Sequence, residues 1–191
     1  MTQVRNVAVV VGSLRKDSVS RKLAKAFAAV TPNLKFNIVE IGDLPHFDQD
    51  LESDPPAQWV RFRDEIAAAD AVLFVTPEFN RSVPGALKNA IDVGSRPYGQ
   101  SVWNGKPGAV ISLSPGAIGG FGANHHLRQS LVFLNVPLLS QEAYVSNAFS
   151  LFDDTGELVN DATNDFLRAY GQQFAAWIER LVDDAPAAKA A

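Results

Sequence analysis

The chain contains no cysteine. That absence excludes disulfides, thiol nucleophiles, thiolate metal centres and CxxC redox chemistry. Any redox work must therefore pass through a bound group. No apolar run approaches the ~18–20 residues that a membrane span needs. Met1-Thr2-Gln3-Val4-Arg5 runs directly into a strand-like segment, without the apolar stretch of a signal peptide. The expectation is a cytoplasmic protein with no membrane partner. Cations are not in excess either. Seventeen Lys and Arg against 21 Asp and Glu give a net charge of −4 and a pI near 5.3. General polyanion binders are basic, so nucleic acid is not an expected partner. Of the three histidines, His125 and His126 are neighbours that diverge on a helix, and His46 is far away in sequence. Without cysteine or an HExxH pattern, no metal is expected.

What is present is a globular composition: 191 residues, 47% hydrophobic and 20% charged. One domain over residues 1–182 is expected, with residues 183–191, small and polar, as a frayed tail. Residues 7–11, 71–75 and 109–113 are continuous β-favouring runs without in/out alternation, as in strands covered on both faces. Residues 36–41 alternate and suit a strand nearer an edge. Residues 136–139 and 143–145 are candidates for a fifth strand. Helical periodicity marks 20–30, 58–69, 84–93, 127–134 and 165–181. Regular β-α alternation implies an α/β fold: a flavodoxin-like, doubly wound, five-stranded parallel sheet of order 2-1-3-4-5 with helices on both faces.

Ligands of such sheets sit outside the carboxyl ends of the strands, near the switch point of strand order. The loop at 12–21 brings Gly12, three serines and basic residues to a helix start, which suits an anion or an ordinary capped turn. It lacks both GxxxxGK[ST] and GxGxxG, so a monophosphate is favoured over a P-loop nucleotide or a dinucleotide. Val11-Gly12-Ser13 also lacks the carboxylates of a phosphoacceptor receiver. The loop at 76–92 is stiffened by Pro77 and Pro84. Its backbone can read the edge of a flat heterocycle, with Phe79 as an apolar wall and Asn80 as donor and acceptor. Lys88 and Asp92, four apart, read equally as a surface pair. The loop at 112–126 has four glycines in seven residues, which permits close backbone approach or simply a flexible surface loop. Together the three loops read as an FMN site.

The same residues resemble a known family. Gly12-Ser13-Leu14-Arg15 with Ser18 and Ser20, and the run from Pro77 through Asp92, are similar to the NADPH-dependent FMN reductases, in the branch of bacterial chromate and quinone reductases. The similarity runs from Val7 to about Leu181 and includes Gly119-Gly120 through Gln129. The resemblance implies non-covalent FMN, NAD(P)H as hydride donor, and quinones, free flavins, azo compounds or chromate as acceptors. By match, Ser13, Arg15, Ser18 and Ser20 hold the phosphate. Pro77, Glu78, Phe79 and Asn80 line the ring, joined by Ser114, Gly116 and Gly119. A homodimer or homotetramer, with FMN near a subunit interface, is also implied. Phe79 departs from the family's common Tyr, which keeps the stacking surface and removes a phenolic hydrogen bond.

The expected activity is hydride passage from NAD(P)H through bound FMN to a small acceptor. Arg81 and His125 are the acceptor-site candidates. A flavodoxin-type electron carrier that docks on redox partners is the alternative. Its mark is dependence on a separate reductase. A binding module of this fold without flavin stands behind both.

Overall fold

The computed structural model describes residues 4–183. The strands are β1 (Arg5–Val11), β2 (Leu34–Val39), β3 (Ala71–Pro77), β4 (Gly108–Leu113) and β5 (Ala143–Val145). The helices are α1 (Val19–Ala29), α2 (Ala57–Ala67), α3 (Gly85–Gly94), α4 (Phe121–Phe133) and α5 (Asp161–Asp183). All strand pairs are parallel, in the order β2-β1-β3-β4-β5. In register, Val10 lies beside Val39 on one side and Phe74 on the other. The fold class and strand order expected from the sequence are those observed. The alternating segment is indeed the edge strand β2.

The pleat sorts each strand between two cores. Val7, Val9 and Val11 of β1, with Leu73, Val75 and Ile111, pack against α1 and α5. Ala8 and Val10, with Val72, Phe74 and Val110, face α2, α3 and α4. Trp103 is fully buried in the second core. Its indole N–H donates to the Ile91 carbonyl at 2.9 Å, and its ring occupies the space a side chain at residue 94 would need.

Three elements differ from the sequence reading. Residues 136–139 are not a ladder strand; Leu138 makes only an isolated bridge to Gly108, and β5 is the three-residue Ala143–Val145. The fourth helix starts at Phe121, not 127, because a distant carboxylate caps it. The helix expected from 165 begins at Asp161 and ends at Asp183. Of the expected tail, residues 184–191 lie outside the described residues.

Candidate functional site

The carboxyl ends of β1, β3 and β4 bring three loops to one edge of the sheet. The first leaves β1 at Gly12, whose N–H donates to the Val75 carbonyl at 2.9 Å. A Cβ here would stand 2.8 Å from Thr76 Oγ1, so the chain passes β3 closely only as glycine. Ser18 caps α1, its Oγ accepting from the Arg21 N–H at 3.1 Å. The N–H groups of Val19 and Ser20 find no acceptor among the described residues. They are the donors a helix start leaves open for an anion. Ser13, in the same loop, is half-buried, and Ser18 and Ser20 are buried. Arg15 is exposed, with no hydrogen bond or ion pair among the described residues. Arg21, the other arginine of this loop, is not available in the same way. It forks onto Glu40 at 2.7 and 2.8 Å, which holds the Glu40 carboxyl below its ordinary range.

The second loop is a tight hairpin. Phe79 and Ser82 exchange both backbone hydrogen bonds, at 2.9 and 3.0 Å. Asn80 and Arg81 between them have φ of 50° and 63°, the signature of a type I′ turn. Asn80 adopts this conformation with little strain; Arg81 is held there by the hairpin. Phe79 projects from the base of the turn, 66% exposed. Lys88 and Asp92 form the exposed pair their spacing allows, at 2.8 Å.

Glu78 joins this hairpin to the third loop. Its Oε2 accepts from the N–H of Gly122 at 2.7 Å and of Ala123 at 3.3 Å. It is thus the N-terminal cap of α4, supplied from 44 residues away. Its Oε1 meets Arg81 Nη1 at 3.3 Å. The carboxylate belongs to this clasp, so toward the cleft Glu78 offers backbone.

The third loop is pinned rather than flexible. Ser112 Oγ, fully buried, donates to the Gly119 carbonyl at 2.8 Å. Asn124 Nδ2 donates to Ser112 Oγ at 3.1 Å, and Arg128 Nε donates to Asn124 Oδ1 at 3.0 Å. Ala148 N–H donates to the Ser114 carbonyl at 3.0 Å, and Asn147 N–H to that of Gly116 at 3.2 Å. Ser114 Oγ also donates to the Gly116 carbonyl, at 3.2 Å. Gly119 and Gly120 are left-handed, with φ of 58° and 77°. The exposed Gly116 is different: nothing but Ser114 Oγ, 4.0 Å off, lies near its Cβ position. Its backbone is bare toward solvent.

His125 sits on the exposed side of α4, its ring 4.3 Å from that of Phe121. Its Nε2 shares a hydrogen bond with Tyr144 Oη at 3.1 Å. Tyr144 donates in turn to Glu142 Oε2 at 2.5 Å. Burial, and then that bond to Glu142, push the Tyr144 phenol up to about 12. His126 turns the other way and meets Ser82 Oγ at 2.9 Å. Sequence reasoning missed Tyr144, Glu142 and the Ser112–Asn124–Arg128 chain. Pairing of β5 beside β4 brings Tyr144 to this edge and packing of α4 on β4 forms the chain, and no local motif announces either.

The arrangement can accept an anionic group at the first loop and a flat ring along the second and third. Comparison with known proteins gives the family. Residues 5–150 match the sequence model of the NADPH-dependent FMN reductases. A quinone reductase of Pseudomonas putida is 63% identical over 182 residues, covering 94% of this chain and 97% of the relative. A 2-hydroxy-1,4-benzoquinone reductase of a Burkholderia species is 48% identical over 174 residues, covering 90% and 95%. The solved structure of FerB, a flavoenzyme NAD(P)H:(acceptor) oxidoreductase from Paracoccus denitrificans, superposes with a TM-score of 0.87 at 44% identity, covering 93% and 98%.

Proposed function

The chain belongs to the NADPH-dependent FMN reductase family, and from that premise we propose that it is an FMN-dependent NAD(P)H reductase of quinones. Free flavins, azo compounds and chromate fall within the same acceptor range. The carrying observation is the pairing of an unpartnered Arg15 and two open helix-start N–H groups with a stiff hairpin that exposes Phe79.

The residues fit FMN. Ser13, Arg15, Ser18 and Ser20 hold the phosphate: Arg15 supplies the charge, and Ser18 keeps its hydroxyl proton to donate while its oxygen caps α1. Pro77, Glu78, Phe79 and Asn80 line one side of the ring, Glu78 through its backbone. Ser114, Gly116 and Gly119 line the other, where the bare Gly116 lets the backbone approach closely. The chemistry that bound FMN supplies is two-electron transfer between NAD(P)H and an acceptor. The chain's own part is positioning. The Glu78 clasp fixes the spacing of the two ring-lining loops. Phe79 covers a face of the slot and excludes water. Arg81 and His125 stand at the mouth, with the acceptor.

We read residues 1–182 as one FMN-binding domain, active in the cytoplasm. Among the described residues no helix is long and apolar enough to cross a membrane. The working form is a homodimer or homotetramer. Support for a second copy comes from Tyr98 and Phe133, exposed by 89% and 88%.

The test is a visible spectrum of the purified protein, followed by oxidation of NADH and NADPH with a benzoquinone as acceptor. A bound-flavin spectrum and turnover without added protein are expected. Turnover only with a separate reductase would make the chain a carrier instead.

A further inference from the structure

Charge is unevenly distributed along the chain. Residues 4–39 hold seven Lys and Arg side chains and one acid, Asp17, within a protein whose net charge is −4. Four of these cations, Lys16, Arg21, Lys22 and Lys25, line a groove of about 440 Å³ that starts at the first loop and runs down α1. Lys22 and Lys25 lie on one stripe of the helix with Ala26 and Ala29, and Lys16 stands at its upper end. The opposite wall is the turn at 155–158, with Asn164 of α5 beside it.

That wall is built. Asp153 Oδ1 accepts from the Thr155 N–H and hydroxyl at 2.9 and 2.7 Å, and from the Glu157 N–H at 3.0 Å. Gly156 at φ 86° places its missing side chain 3.4 Å from Lys22 Cε, so the turn lies against the lysine stem. Several other surface cations are paired: Arg21 with Glu40, Arg61 with Asp43 and Glu65, Lys88 with Asp92. Lys16, Lys22 and Lys25 make no hydrogen bond or ion pair among the described residues. The acids on the groove's lining, Asp17 and Glu157, pair with none of them. An apolar floor of Ala26, Ala29 and Leu158 beneath unpaired ammonium groups suits a phosphorylated nucleoside, with the base on the floor and the phosphate at the rim.

We propose that this groove takes the adenosine 2′-phosphate end of the donor, and so makes the enzyme select NADPH over NADH. The inference rests on the reading of the preceding subsection, because the groove's upper end, Lys16 to Ser18, is also the loop that holds the FMN phosphate. In this proposal the donor's nicotinamide meets the ring and its adenosine half lies past that loop. The 2′-phosphate is the group by which the two donors differ, and mobile ammonium groups meet it as point charges.

The test compares the wild-type holoenzyme with the double variant Lys22→Gln/Lys25→Gln. The KM for NADPH is expected to rise about tenfold, the loss of one charge-assisted contact. The KM for NADH and both kcat values stay within about twofold. Calorimetry supplies a readout apart from turnover. Adenosine 2′-phosphate should bind the wild type more tightly than adenosine 5′-phosphate, and the difference should vanish in the double variant. An unchanged NADPH KM in the double variant, or equal binding of the two nucleotides to the wild type, overturns the proposal. Failure of the underlying reading shows separately, as a protein without bound flavin or without NADH oxidation. Calorimetry then decides the groove alone.

Discussion

The Glu78 carboxylate lies 2.7 Å from the Gly122 amide and binds the hairpin after β3 to the first turn of α4. Its side chain is 12% exposed, so the charge–helix interaction is little screened. Glu78→Ala should cost about 1–2 kcal/mol of stability, the range for losing a helix cap. Glu78→Gln keeps an acceptor and should cost less. Both should loosen FMN, since the proposed ring slot is framed by the two loops the clasp joins. Urea unfolding and an FMN dissociation assay check the two effects. Retained FMN affinity in Glu78→Ala would mean the loops hold their spacing without it.

Arg15→Ala separates binding from folding. Arg15 has no partner among the described residues, so stability should move by no more than about 0.5 kcal/mol. FMN affinity should fall roughly 10–100-fold, corresponding to about 1.5–3 kcal/mol for a charge-assisted contact. If fluorescence titration gives wild-type affinity, the phosphate lies elsewhere.

Much of this was legible in the sequence, for identifiable reasons. Strands covered on both faces leave continuous runs such as Val7–Val11, and helices between them dictate a parallel sheet. The three loops follow from strand order. The early start of α4 was not legible, because its cap is Glu78, which is local only in three dimensions. The hairpin at Asn80-Arg81 carries no glycine at its second position, so its usual signal is missing. Arg21 and Arg15 look equivalent in sequence; only the placement of Glu40, just past the end of β2, separates the paired cation from the open one. The partners of His125 depend on β5, a strand of three residues.

Two glycines of the third loop should respond oppositely to alanine. Gly119 has φ of 58°, and a Cβ there would stand 2.8 Å from Tyr144 Cβ and 2.9 Å from Val145 N. Gly119→Ala combines left-handed strain with overpacking and should cost about 2–4 kcal/mol. Gly116→Ala meets nothing closer than 4.0 Å and should leave thermal unfolding unchanged. It should still weaken FMN binding, because the methyl group would occupy the face that the proposed site gives to the ring. Normal flavin affinity in Gly116→Ala would remove that residue from the site.

Alkaline titration probes the edge at β5. With its pKa raised to about 12, Tyr144 contributes stability that is fully present below its unfolded value, near 10. That contribution is lost as pH rises through the folded value. The difference in phenolate absorbance between wild type and Tyr144→Phe should therefore develop near pH 12. Glu142→Gln removes the charged acceptor of the 2.5 Å bond and should bring the transition down. A Tyr144 step that ignores Glu142 would assign the shift to burial alone.

The last prediction concerns assembly. Phe133 stands 88% exposed between two hollows of about 520 and 500 Å³. One is lined by Phe47, Ile91 and Leu134, the other by Tyr98, Ser101 and Leu134. A projecting ring beside hollows large enough to receive it is self-complementary under a two-fold axis, where the ring of one copy enters the hollow of the next. Burying it removes a large apolar surface from water, and substitution by a carboxylate reverses the gain. Phe133→Glu should shift the protein to monomer in size-exclusion chromatography with light scattering, while circular dichroism of the monomer stays that of the fold. An unshifted oligomer would move the interface to another face; a wild type that runs as a monomer would leave this face without a second copy.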